Sequence, residues 1–302
     1  MRLEGLALWL AALAISVGWY LVVRLDLGGS RWITPDGRWY FQAGRRLPVP
    51  RPYTRRWLLP LMLGERKWAW DLVSSLSLIA CGPLIAAYVE GEWWQRLAAV
   101  VLFVGCPGLF RTNVACPALV DACGFALALA SSVLARNHAA ASAGLALAAG
   151  ACVERAPVFA AIFAGSPVPL LGLLAPAWLR KGAEAQEPWL TAPFRHALKL
   201  HAGNWLAWRE ILLPWGAIAV LAPLGAARDR LTLLAVAALV VGYGQLLIAT
   251  DRARLYQWAA PPVIALAVRA LPASSLTLLI LIVHLFNPAR PEGIDLSPRQ
   301  DP

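Results

Sequence analysis

Ten Arg or Lys residues face only three acids, Asp26, Asp36 and Glu65, between Arg24 and Lys67, a net +7 within a chain whose total is +10. The stretch 27–64 interleaves those cations with Trp, Tyr, Phe and Pro. Guanidinium forks take phosphate bidentately, and aromatic faces stack on sugars or sit at the level of lipid headgroups. One acid stands among them. Asp36, between Pro35 and Gly37 and close to Arg31 and Arg38, has the chemistry of a general base, or of a carboxylate that holds an acceptor hydroxyl. The same TPDG context also suits an ordinary β-turn. Arg38, Trp39, Tyr40, Arg55 and Arg56 are the candidate phosphate and ring contacts of this loop.

Beyond the loop, ionisable groups inside apolar runs are the next candidates, because charge at membrane depth is costly and tends to mark sites. Asp121 lies among Ala118, Leu119, Val120, Ala122 and Cys123, eight residues after Asn113. In one continuous helix that places it roughly 12 Å below the turn carrying Arg111. A lone acid there must face a cavity or a cation, and Arg111, Arg155 and a loop arginine are the natural partners. Glu154 and Arg155 form a second pair at the start of an apolar run, where two interfacial side chains that snorkel are the plainer alternative. Asp251 and Arg252, followed by Arg254, introduce another run.

The elements that must position these groups are membrane helices. Hydrophobic residues make up 59% of the 302-residue chain, charged residues 15%, and mean hydropathy is +0.60, well outside soluble composition. The predicted fold is an all-α membrane protein, a polytopic bundle of about ten transmembrane helices with a basic-aromatic first loop carrying short interfacial helices. Expected spans fall near 5–23, 68–89, 93–110, 114–135, 139–152, 156–179, 208–226, 231–250, 253–270 and 271–286. The first reads as an anchor rather than a cleaved signal. Residues 1–286 form one transmembrane domain, with the working first loop at 24–67, including a short helix near 57–64. An amphipathic surface segment is expected at 180–206, and a disordered tail at 287–302.

Alternation of sides places the first, third and fifth loops on one face whichever way the protein is oriented, so Asp36, Arg111, Asp121 and Glu154 should converge. Asp251 and Arg252 fall on the opposite face in a simple ten-span count. They join the others if the Pro167 and Pro169 segment turns span six into a re-entrant hairpin. With the first loop external, Lys and Arg number 15 outside and 11 inside; without that loop's ten they number 5 and 11. Orientation therefore depends on whether the loop's cations are topological or functional.

Several classes are disfavoured. The five cysteines lie in apolar stretches with no CxxC pair, so they read as small buried residues. The four histidines lack ligand spacing, so no metal ligands are assigned; no cofactor is expected, with a divalent metal left open. The basic excess sits on one inter-span loop rather than on a domain or tail, which points to anionic lipid rather than nucleic acid. No phosphate-binding glycine loop is present. Polarity gathered in one loop differs from the paired, broken spans of a transporter.

Asp36-Gly37-Arg38-Trp39-Tyr40, followed by Arg56-Trp57-Leu58-Leu59-Pro60, resembles the first external loop of the polytopic GT-C glycosyltransferases and their bacterial relatives. Leu119-Val120-Asp121-Ala122, Val153-Glu154-Arg155-Ala156 and the run from Asp251 to Pro262 are similar to later segments of that class. The resemblance implies sugar transfer from a polyprenyl-phosphate donor, with the first-loop acid, here Asp36, as base. It also implies a multi-pass protein of the bacterial plasma membrane. Arg38, Trp39, Tyr40, Arg55, Arg56, Arg111, Asp121, Glu154, Asp251 and Arg252 would bind substrate. The partners are then a polyprenyl-phosphate-linked sugar or another anionic lipid, and the membrane itself. Two alternatives stay open: a non-catalytic membrane protein that binds anionic lipid or a partner, and a transporter or flippase of a lipid-linked substrate.

Overall fold

A computed structural model describes residues 3–28, 35–47, 49, 56–175, 212–246 and 252–287, and within these the side chains of Leu3, Pro35, Asp36, Arg38, Arg252 and Ala253 are excepted. All regular structure among them is helical. Helix α1 (Leu3–Asp26) and helix α4 (Lys67–Tyr88) are the two long apolar rods, joined through the short α2 (Pro35–Gly44) and α3 (Leu58–Leu63). Helix α5 (Trp93–Val104) runs into a π-helical turn (Pro107–Arg111) and α6 (Thr112–Ala115) with a bend of 57°. Then follow α7 (Asp121–Leu134), α8 (Ala139–Cys152), α9 (Ala156–Ala164) and a 3-10 segment (Val168–Leu174). After a 3-10 turn at Leu213–Trp215 come α10 (Ile218–Leu224), α11 (Arg230–Gln245) and α12 (Arg252–Tyr256). A 3-10 turn (Gln257–Ala259), α13 (Ala260–Arg269) and α14 (Ser275–Leu285) complete the order.

The expected count of about ten spans is corrected. Among the described residues two helices, Glu4–Asp26 and Lys67–Tyr88, are long and apolar enough to cross a membrane, and a third if the bent pair is one span. The reason is local. Gly105 and Pro107 break the third apolar run, and Pro117 lies in the gap that divides the fourth into α6 and α7. Left-handed Gly165 ends α9, and Pro167 and Pro169 follow it. Proline removes a backbone donor and clashes with the preceding turn, so apolar composition continues while the helix does not. The surface segment 180–206 lies outside the described residues, as does all but Asn287 of the tail 287–302.

The break at Gly165 has a topological consequence. The 3-10 segment folds back along α8 and α9, with the backbones of Gly172 and Ala146 so close that a Cβ on Gly172 would stand 2.2 Å from the Ala146 carbonyl oxygen. Gly150, near the end of α8, meets Gly172 in the same way. Within α12, Arg254 reaches Asp121 at the start of α7, at the same end of the bundle as Arg56 of the first loop.

Packing against the rods is aromatic at the centre. Phe103 stacks on Phe125 at 5.7 Å, and Trp258 meets Phe125 and Phe159 edge-on or tilted at 5.4 and 5.5 Å. Such pairs contribute about 0.5–1.5 kcal/mol each beyond their buried area. The outward faces of α1, α4, α11 and α14 carry exposed Leu, Val and Ile, the surface a lipid environment would cover.

Candidate functional site

Where the aromatic column ends, charge begins. Asp121 is the first residue of α7 and is 1% exposed. Its Oδ2 accepts from Arg254 Nη1 at 3.0 Å, and its Oδ1 accepts from Arg155 Nη2. The Arg155 guanidinium in turn lies over the Trp258 ring, 4.8 Å from its centroid, a favourable contact between a cation and the negative face of an indole. Next to this layer, Arg56 of the first loop forms a fork on Glu154, Nε to Oε2 at 2.8 Å and Nη2 to Oε1 at 3.0 Å. Its remaining Nη1 donates to the Tyr40 hydroxyl at 2.6 Å. Four separate stretches of chain thus meet: the first loop through Tyr40 of α2 and Arg56, two residues ahead of α3; the start of α7; the turn between α8 and α9; and the start of α12.

Local sequence explains each placement. The breaks that shorten the helices put Asp121, Glu154, Arg155 and Arg254 at helix ends, where side chains need not cross the apolar faces. Asp121 gains further from the partial positive charge of the α7 N-terminus. Arg254, Gln257 and Trp258 stand at i, i+3 and i+4, so they share one face of the chain as it winds towards α13. Gln257 is fully buried. Its Oε1 accepts from the backbone N–H groups of Gly108 and Leu109 at 2.7 and 3.1 Å, and its Nε2 donates to the Pro214 carbonyl at 2.7 Å. One amide thereby fixes the π-helical turn to the Leu213–Trp215 turn beside the charged layer.

A second set of ion pairs ties the rods together at this end. Arg24 near the end of α1 forks onto Asp71 in the first turns of α4 at 2.7 and 2.8 Å, and Tyr20 bonds Ser75 at 2.6 Å. Arg111 pairs with Asp26. Glu154 lies in the turn between α8 and α9, outside the membrane-spanning helices. Burial pushes its carboxyl up, but the Arg56 charge and hydrogen bonds outweigh this and hold it at about 2. It is therefore ionised near neutral pH and takes up its proton only in strong acid.

The structure brings together Tyr40, Arg56, Asp121 and Glu154 of the sequence-predicted residues, and alters what some of them can do. Asp121 opens a helix rather than lying two turns into one. Arg56 has its fork filled by Glu154, so it is a fastener and not an open phosphate fork. Tyr40 is 1% exposed, with its ring 6.3 Å from Trp70, so its face is engaged within the protein. Arg111 serves Asp26 and not Asp121. Asp36 and Arg38 lie in α2, not in a β-turn, but their side chains are outside the description, as is that of Arg252; Trp39 is half-buried in the same helix. Arg55 and Asp251 lie outside the described residues. No group of three or more His, Cys, Asp or Glu side chains fit to hold a metal occurs among the described residues.

Reading the sequence missed Asp71, Gln257 and Trp258 and chose Arg252 where Arg254 makes the contact. The helical spacing of Arg254, Gln257 and Trp258 was a usable signal. Asp71, a single acid four residues after Lys67 at the mouth of an apolar run, was another, because antiparallel rods put it level with Arg24. No protein-family model matches the chain, and no curated protein and no solved structure matches it either.

Proposed function

We propose that this chain is a membrane-embedded glycosyltransferase that moves a sugar from a polyprenyl-phosphate donor to an acceptor hydroxyl at the membrane face carrying the first loop. The observation that carries this reading is the seating of that loop on the bundle through Arg56, Glu154 and Tyr40. Asp36 lies one helical turn before Tyr40 in α2, so the helix bearing the candidate base is anchored beside the charged layer. A buried ionic layer costs desolvation that an apolar contact would not, and a bundle needs none of it to fold. Catalysis is a sufficient reason to keep it.

In this reading the acceptor oxygen attacks the anomeric carbon while its proton passes to the Asp36 carboxylate. The bond from that carbon to the donor phosphate oxygen breaks, and polyprenyl phosphate leaves. Arg155 and Arg254 stabilise the departing phosphate from their places on Asp121, which limits the cost of burying two guanidiniums together. A second reading has its own support: both carboxylates of the layer, Asp121 and Glu154, already hold arginines, which suits a lock that shapes a non-catalytic lipid-binding protein.

The test is turnover by the purified full chain, reconstituted with labelled polyprenyl-phosphate hexoses and acceptor. Asp36→Asn keeps shape and loses proton acceptance, so transfer should fall by roughly 10²-fold or more with folded yield unchanged. Near-normal transfer by the variant removes Asp36 as base. Donor binding by the native chain without turnover of any donor supports the lock instead.

A further inference from the structure

Elsewhere in the same loop, the ends of α2 and α3 and the start of α4 form a platform. Gly44 and Gly64 touch backbone to backbone: a Cβ on Gly44 would stand 2.6 Å from the Gly64 carbonyl oxygen, so no side chain fits there. That same oxygen accepts from Trp70 Nε1 at 2.9 Å, and Gly64 itself sits at φ +56°. The platform presents Arg45, Arg46, Arg66 and Lys67, all exposed, with Glu65 as the one acid among them. Arg45 pairs with Glu65. The side chains of Arg46, Arg66 and Lys67 carry no hydrogen bond or ion pair among the described residues. Around these cations stand exposed Leu61, Met62 and Trp68, each more than 60% accessible.

Arg46 adds an independent sign. It is the one non-glycine residue at positive φ among the described residues, at +60°, and it ends α2 while Leu47 N–H bonds back to the Gln42 carbonyl at 3.0 Å. Glycine is the low-cost residue for such a helix end, and a long β-carbon-bearing side chain is strained there. Holding an arginine in that conformation is worthwhile where its charge is used.

We propose that this platform is a binding site for anionic phospholipid headgroups, distinct from the buried layer and independent of the glycosyltransferase reading. The cations meet the phosphodiester and any further anionic headgroup oxygens, while Leu61, Met62 and Trp68 lie among the upper acyl carbons, the level at which Trp and the first residues of a span settle. The Lys67–Tyr88 helix begins at this point, so the patch stands where the headgroup layer of one leaflet must be. Charge complementarity selects the occupant: a zwitterionic headgroup offers no net attraction to three exposed cations, whereas an anionic one gains about fivefold in binding per cation near the surface.

The experiment compares the full chain in nanodiscs of dioleoyl phosphatidylcholine alone with nanodiscs containing 20–30% dioleoyl phosphatidylglycerol, roughly the range in which surface charge becomes appreciable. Lipid retained on extraction is read by native mass spectrometry. The native protein should retain phosphatidylglycerol over phosphatidylcholine by tenfold or more, and inorganic phosphate at millimolar level should not displace it. Arg46→Gly should lose about fivefold of that preference while melting at the same or a higher temperature, because it removes the backbone strain. Adding Arg66→Gln and Lys67→Gln should abolish the preference. Equal retention of the two lipids, an unchanged preference in the triple variant, or displacement by phosphate alone would each overturn the proposal.

Discussion

The first loop sends its arginines to two opposite fates. Arg56 is buried, forked onto Glu154 and capped by Tyr40. Arg46, Arg66 and Lys67, from the same loop and its exit, stand in the open on a glycine-built platform. Burial is what separates them. In low dielectric a guanidinium must have its hydrogen bonds filled, so Arg56 is committed to geometry. In water-accessible surroundings a cation can wait for a diffusible partner. One dense run of arginines is therefore two devices, a fastener and a landing surface.

The larger loss of stability should come from the buried side. Asp121→Asn leaves Arg155 and Arg254 without their carboxylate, and removing one partner of a buried ion pair costs about 3–5 kcal/mol. The exposed control Glu65→Gln deprives Arg45 of a partner on the surface and should cost no more than about 1 kcal/mol. Thermal unfolding of both variants in the same detergent measures the contrast. Equal shifts would mean that Asp121 is wetter than its surroundings indicate.

Acid sharpens the same contrast. Glu154 is held at about 2 in the folded protein against an ordinary value of 4.5. A depressed carboxyl contributes stability that is fully present above its unfolded value and is lost as pH falls through the folded one. The native chain should thus lose stability between pH 4.5 and pH 2, and Glu154→Gln should flatten that part of the profile. Unfolding midpoints across this window decide the matter, and an unchanged acid limb in the variant would assign the loss to other carboxyls.

The smallest effect belongs to the platform. Arg46→Gly should be neutral or stabilise the fold by up to about 1 kcal/mol, since glycine visits the left-handed region without a Cβ penalty. A clear loss of stability would show that the Arg46 side chain braces the loop.

What could be read in the sequence follows from which signals are local. Helical class, the two long rods and α3 follow from apolar runs and their flanks; residues 139–152, expected as a span, form a helix of that extent that is too short to count as one. The convergence of Asp121 and Glu154 was expected from alternating spans and arises instead from two shorter helices: α7 and α8 pack antiparallel, Cys123 beside Cys152, so the start of one meets the end of the other. The number of spans does not follow, because apolar composition is common to a membrane-crossing rod and to a short helix packed inside the bundle. Only the broken backbone at Gly105, Pro117 and Gly165 distinguishes them. Partner choice was equally hidden. Arg111 and Arg155 were comparable candidates for Asp121 by spacing, and the bend after Val104 directs Arg111 to Asp26 instead.

Arg56 and Glu154 hold the first loop on the bundle, and a double-mutant cycle measures how strongly they are coupled. Unfolding free energies of the native chain, Arg56→Gln, Glu154→Gln and the double variant give the coupling between the two side chains. The geometry predicts non-additivity at the upper part of the usual range for contacting residues, about 2–3 kcal/mol. Additive effects, with coupling under about 0.5 kcal/mol, would contradict the account, because the loop would then be held by something other than this pair.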